Sequence, residues 1–163
     1  MATSFTSPSF IPSPTSASWC FLLLEHLDEF AMLVWYLVAD GRLVEDTFAR
    51  TMAKLDRIEF ESSIPALAYT QARDVLITQA IAVLSDARRE EAENQFFQRS
   101  STGSLPDLPR LAFILRLIIH SSETEVAKFL CLSPSEVQGL VKDEIDRLSS
   151  GPLLSLSTVC YDA

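Results

Sequence analysis

Residues 105–148 read LPDLPRLAFILRLIIHSSETEVAKFLCLSPSEVQGLVKDEIDRL. The segment predicts an apolar helix followed by a helix-turn-helix. Ser122-Glu123-Thr124-Glu125 is a capping box: a hydroxyl accepts from an early helical N–H, and a carboxylate three residues on reaches back. Ser133-Pro134-Ser135-Glu136 is a second, with Pro134 at the first helical position, where the missing N–H is harmless. Between them lies one short helix, 123–130, and a turn of about three residues, the spacing of this motif.

A helix-turn-helix usually reads DNA, and here the charge opposes that use. Glu123, Glu125, Glu136, Asp143, Glu144 and Asp146 face Lys128, Lys142 and Arg147, so residues 123–148 are net −3. The would-be recognition helix, 134–148, holds four acids and two bases. DNA binding rests largely on Lys and Arg neutralising phosphates, and a basic face is its footprint.

The rest of the chain extends the pattern. It has 163 residues, 48% of them hydrophobic, enough for a core in one domain or two small ones. Four glycines and long runs of helical periodicity predict an all-α protein. The net charge is −9 and no segment is basic, which disfavours nonspecific nucleic-acid binding and suits a basic partner. Cys20, Cys131 and Cys160 are few and odd in number, so no disulfide framework is expected and a reducing cytoplasm fits. No Cys/His spacing suggests a metal, and no motif calls for a cofactor. Charged residues from Glu25 to Glu29 interrupt the best candidate for a membrane span, so no membrane association is expected.

The expected organisation is a disordered Ser/Thr/Pro arm at 1–18, a helical domain at 19–84, a linker at 85–104, the helix-turn-helix domain at 105–148 and an apolar tail at 149–163. The first domain reads as three helices. The first, 19–39, buries Leu23, Leu27, Phe30, Val34, Leu37 and Val38, with Asp40-Gly41 as its left-handed stop. The second, 42–58, carries Val44, Phe48, Met52 and Leu55 on one stripe. The third starts at Pro65 and runs to about Leu84, burying Leu67, Ala68, Ala72, Val75, Leu76 and Val83. The first half of the polar stretch after it is able to prolong that helix. The tail, with Leu153, Leu154 and Leu156, is expected to dock on its own domain or on a partner.

Across about residues 20–148 the chain resembles the small sigma factors of the extracytoplasmic-function type, members of the sigma-70 family with region-2 and region-4 domains. Three stretches carry the resemblance. Glu45-Asp46-Thr47-Phe48-Ala49-Arg50 with Lys54-Leu55-Asp56 is similar to the family's Q-E-T-F-L-R…A-L. Pro65-Ala66-Leu67-Ala68-Tyr69 with Ala72-Arg73-Asp74 is similar to F-R-A-W-L-Y…A-R-N. Leu105-Pro106…Arg110, then Glu125-Val126-Ala127 through Leu132-Ser133-Pro134-Ser135-Glu136-Val137, is similar to L-P…R…E-I-A…L-G-I-S…T-V. The resemblance implies core RNA polymerase as a partner, an anti-sigma factor as a regulator and promoter DNA as a ligand. It implies polymerase contacts at Asp40, Glu45, Asp46 and Phe48, and DNA contacts at Arg73, Ser135, Gln138, Lys142 and Arg147.

The departures share a direction. Asp40-Gly41-Arg42 stands where the family has A-E-D, and Leu67 stands at the family's tryptophan. Thr70, Gln71, Val75, Thr78 and Gln79 occupy positions where the family carries Arg or Lys, with Arg73 the survivor. The turn glycine is Cys131, a less comfortable residue at positive φ. Core positions are kept while phosphate-contacting positions turn neutral or acidic, so promoter binding is expected to be weak.

Two readings stand. One is a divergent sigma factor whose domains are held on the promoter by polymerase. The other is a sigma-like regulator working through protein contacts, on polymerase or as an anti-sigma decoy, without independent promoter binding. An enzyme is not expected. His26 with Glu29 or Asp28 reads as a surface histidine beside solvated carboxylates, and no nucleophile elbow, P-loop or zinc motif occurs.

Overall fold

In the computed structural model, residues 14–61, 63–96 and 107–150 are described here, with backbone alone at 14, 16 and 91–96. The described residues are helical or loop, with no strand among them, and the all-α class is as expected. The chain divides into two compact units, Met1–Ser101 and Thr102–Ala163.

The first unit holds α1 (Pro14–Glu25), α2 (Leu27–Val38), α3 (Gly41–Leu55) and α4 (Pro65–Phe96). All of α1, α2 and α3 pack on α4. The inner face of α4 is Ala68, Ala72, Leu76, Ile77, Ala80 and Val83, each at most 1% exposed. Opposite it, α2 buries Phe30, Val34 and Leu37, and α3 buries Leu55. Trp19 of α1 is fully buried, and its indole N–H donates to the Ile58 carbonyl at 3.0 Å. That bond gives a buried polar group its partner and ties α1 to the loop after α3.

Several expectations are corrected. The single helix foreseen at 19–39 is two helices, and residues 14–18 of the expected arm belong to the first. The interruption is His26, at φ −109° and ψ 24°, whose ring meets Tyr69 edge-on at 5.0 Å. The left-handed residue is Ala39 at φ 53°, not Gly41. Asp40 is instead the N-cap of α3, extended, its carboxylate accepting from the N–H groups of Arg42 at 2.8 Å and Leu43 at 3.1 Å. A good N-cap fixes an extended backbone at its own position, so the left-handed stop falls two residues before Gly41, at Ala39.

Leu27 and Leu67, expected inside, are 43% and 44% exposed. On α3 the buried stripe is Thr47, Thr51 and Leu55, while Val44, Phe48 and Met52 are half-buried. Thr47 is admitted because its hydroxyl donates to the Leu43 carbonyl at 2.6 Å, leaving a methyl for the core. Helix α4 runs through the first half of the stretch expected as a linker, to Phe96. Residues 97–104 of that stretch, 1–13 of the arm and 151–163 of the tail lie outside the described residues.

The second unit holds α5 (Leu108–Phe113), a π-helical turn (Ile114–Ile118), α6 (Glu123–Leu130) and α7 (Pro134–Ser150). The π turn is closed by the Ile119 N–H on the Ile114 carbonyl at 2.9 Å. Both capping boxes form. Glu125 accepts from the Ser122 N–H at 2.7 Å and Glu136 from the Ser133 N–H at 2.7 Å, while each serine hydroxyl accepts the return bond. Cys131 ends α6 in the left-handed region, φ 55° and ψ 43°. The core joins Leu111, Leu115, Val126 and Val137. No helix among the described residues is long and apolar enough to cross a membrane.

Thr51 is fully buried and its hydroxyl has no hydrogen-bond partner. An orphaned buried hydroxyl costs roughly 1–3 kcal/mol. Thr51→Val is therefore expected to stabilise the first unit by about 1 kcal/mol in urea unfolding followed by tryptophan fluorescence. Thr47→Val, which discards a made bond, is expected to give no such gain.

Candidate functional site

The residues assigned to polymerase and to DNA fall in separate places. Asp40, Glu45 and Asp46 line an open groove of about 730 Å³ between the start of α3 and the second half of α4. The groove is polar and mostly acidic: Asp86 and Glu90 of α4 join them, against Arg42 and Arg50. Phe48 is half-buried and does not line it, so three of the four expected residues are brought together.

Arg50 organises the groove. Its guanidinium lies 3.0 Å from Asp46 one turn back and 2.7 Å from Asp86 across the helix pair. The hydrogen bonds to Asp86 and Asp46 raise the Arg50 pKa, and the reciprocal bond holds the Asp86 carboxyl below its ordinary value. Asp40 faces its own helix, where its carboxylate caps two N–H groups. Glu45 is exposed at the rim. The pairing of Arg50 with Asp46 is visible in sequence as an i,i+4 spacing. Asp86 lies 36 residues from Arg50 on another helix, so no local spacing signals that pair.

The DNA candidates divide further. Ser135, Gln138 and Lys142 share one exposed face of α7, at helical spacings of three and four, and Gly139 and Asp146 lie on it too. Gln138 donates to the Glu123 carboxylate at 2.9 Å, tying the start of α6 to α7. The Ser135 hydroxyl sits 3.1 Å from that of Ser133, inside the capping box. Arg147 points to another side and makes two hydrogen bonds with Glu144, at 2.7 and 2.6 Å. Lys142 is exposed and forms no ion pair among the described residues. In the first unit the Arg73 side chain is 17% exposed and lies 3.9 Å from Asp74. One lysine beside Asp143 and Asp146 is a poor match for the phosphate contacts of a DNA interface.

A third cluster joins α2 to α4. His26 Nδ1 lies 3.7 Å from Glu29, and the Tyr69 hydroxyl donates to the same carboxylate. Tyr69 also stacks on Phe30 with ring centres 5.3 Å apart. Burial, then the bond to Glu29, pushes the Tyr69 phenol up to about 12. The sequence paired His26 with Glu29 but held no signal for Tyr69, forty residues away. Among the described residues no group of three or more His, Cys, Asp or Glu is placed to hold a metal ion.

No protein-family model matches this chain, and no curated protein matches it.

Glu144 is 3% exposed, and the Arg147 hydrogen bonds hold its carboxyl below the ordinary 4.5. A depressed carboxyl stabilises the folded state above its unfolded pKa, and the contribution fades as pH falls through the folded one. In Arg147→Ala the buried carboxylate loses its partner and favours its proton. The variant is expected to be destabilised at pH 7 and to approach the parent as pH falls below the ordinary carboxyl value of 4.5, read by amide exchange in α7. Glu144→Gln added to it should restore part of the loss at pH 7.

Proposed function

We propose that the chain is a sigma-like regulator of transcription that binds core RNA polymerase through the acidic groove of its first unit and does not bind promoter DNA independently. The observation that carries the reading is the state of the α7 face. Of the residues assigned to DNA on α7, Gln138 is held by Glu123 and Arg147, on another side of the helix, by Glu144, which leaves Lys142 as the one cation of that set with no ion pair among the described residues. The groove supplies the complementary half of the argument. Asp40, Glu45 and Asp46 are the positions that the resemblance assigns to polymerase, and they gather in one cleft with Asp86 and Glu90. Such a cleft suits a basic protein surface, with charge setting encounter rate and register.

A second reading is promoter selection with polymerase holding the second unit in place. The shared exposure of Ser135, Gln138 and Lys142 favours it, since a glutamine on such a face is able to read adenine.

Purified core polymerase should retain the full-length protein at low and at elevated salt. Glu45→Lys with Asp46→Lys is expected to weaken retention roughly tenfold, an effect the size of about 1.4 kcal/mol. Lys142→Glu is expected to leave retention unchanged. Anisotropy with promoter-length duplexes should detect no binding by the protein alone. Absence of polymerase binding at both salts would sink the proposal, and a promoter affinity lowered by Lys142→Glu would select the second reading.

A further inference from the structure

Helix α2 has two apolar sides. Phe30, Val34 and Leu37 face the core, and on the opposite side Met32, Trp35 and Tyr36 are 56%, 50% and 42% exposed. Just before them, α1 turns Phe21 and Leu24 outward, at 70% and 61% exposure, away from buried Trp19. A scattered exposed leucine has no meaning by itself, but Met32, Trp35 and Tyr36 gathered on the outer side of one helix, with Phe21 and Leu24 exposed on the helix before it, are apolar surface of the kind that marks an interaction site. Its composition is that of an anchor: Trp, Tyr, Phe and Met are enriched at the centres of protein interfaces. None of these residues lines the acidic groove.

Charge selects the occupant. Helices α1 and α2 carry Glu25, Asp28 and Glu29 and no Lys or Arg from Pro14 to Val38. Asp28 shares the outward side of α2 with Met32 and Trp35, and Glu29 and Tyr36 flank it. A second copy of the chain, meeting the same face across a two-fold axis, would bring these carboxylates together. An anionic bilayer would be repelled, since helices that lie on such surfaces are rich in Lys and Arg. A helix with an apolar stripe bordered by lysines or arginines satisfies both requirements, its stripe against the aromatic anchors and its cations over exposed Asp28 and Glu25, since Glu29 already accepts from Tyr69.

We propose that the outer face of α2, anchored on Met32, Trp35 and Tyr36, is a docking site for a basic amphipathic helix of a partner protein. The site shares no residue with the groove and does not depend on polymerase binding.

The test titrates the full-length protein with a synthetic Leu/Lys peptide of amphipathic helical pattern, beside a Leu/Glu peptide of the same pattern. Trp35 reports directly: its emission should shift to the blue on binding, while fully buried Trp19 is already shielded. The Leu/Lys peptide is expected to bind and the Leu/Glu peptide not to. Met32→Ser and Trp35→Ala, both at exposed positions, should each weaken binding by roughly tenfold or more in calorimetry while helicity is unchanged.

Equal binding of both peptides, or binding indifferent to the two substitutions, would overturn the proposal. So would absence of binding. Self-association in sedimentation that Met32→Ser abolishes would assign the face to a second copy. A Trp35 blue shift on phosphatidylserine vesicles would assign it to a membrane. Shielding of Trp35 from iodide that Leu153→Ser with Leu154→Ser relieves would assign it to the chain's own tail. Each of these last three outcomes overturns it.

Discussion

The first unit depends on the narrow apolar face of α4. Alanines at 68, 72 and 80, all fully buried, provide the small side chains against which neighbouring helices pack, and Leu76, Ile77 and Val83 fill the space between them. All three other helices of the unit rest on that helix. A single helix face of this width accepts one side of each neighbour and no more. The outer side of α2 and the acid-bearing side of α3 are what remains once this packing is complete. Surfaces available for partners are therefore set by the core: α3 presents carboxylates because its inner stripe is Thr47, Thr51 and Leu55, and α2 presents aromatics because it has apolar residues beyond those that α4 covers.

Electrostatics within each unit then decide which charges face outward uncompensated. Arg50 is placed between Asp46 and Asp86, and Arg147 is placed on a nearly buried Glu144. Both are cations drawn into fixing helices to one another or within a turn. Glutamates 125 and 136 serve as the reaching-back halves of capping boxes, so part of the acidity of the helix-turn-helix is structural. An acid at a helix N-terminus is favoured by the helix dipole as well. Arg50 and Arg147 thus close on carboxylates of their own unit, while Lys142 stays without an ion pair among the described residues.

Local chemistry was the legible part of the sequence. The two capping boxes and the bounds of α6 were readable because each rests on residues within four positions of one another. The all-α class followed from periodicity over long runs. The misreadings arose where a distant partner decides. Polarity assigned Val44, Phe48 and Met52 to the core of α3, yet a threonine that returns its hydroxyl to the preceding turn presents a methyl, and Thr47 went inside. The polar composition after Leu84 left open whether the helix runs on; α4 does continue, through Asp86, whose carboxylate meets Arg50, and the two units divide further along the same stretch. The break at His26 carries no local signal, neither glycine nor proline standing near it, and the Tyr69 ring that meets His26 comes from another helix. For the candidate sites the same divide holds. Asp40, Glu45 and Asp46 were found together, while Phe48 and Arg73 were placed by burial that spacing alone does not express.

The α7 face shows how a reading motif and its charge come apart. A helix-turn-helix needs Val126, Val137 and the capping residues to hold its shape, and all are in place. It needs a set of cations to bind phosphate, and that requirement falls on residues with no part in the packing. The two demands are therefore separable in a sequence: the fold persists when the outward residues change sign. Here the Gln138 amide donates to Glu123 and so tightens the motif. A side chain used in that way contributes to the shape of the motif and is withdrawn from recognition, unless a ligand offers it a better acceptor than a solvated carboxylate. Among the described residues the outward side of this helix therefore pairs a committed amide with a single lysine that has no ion pair, beside Asp143 and Asp146.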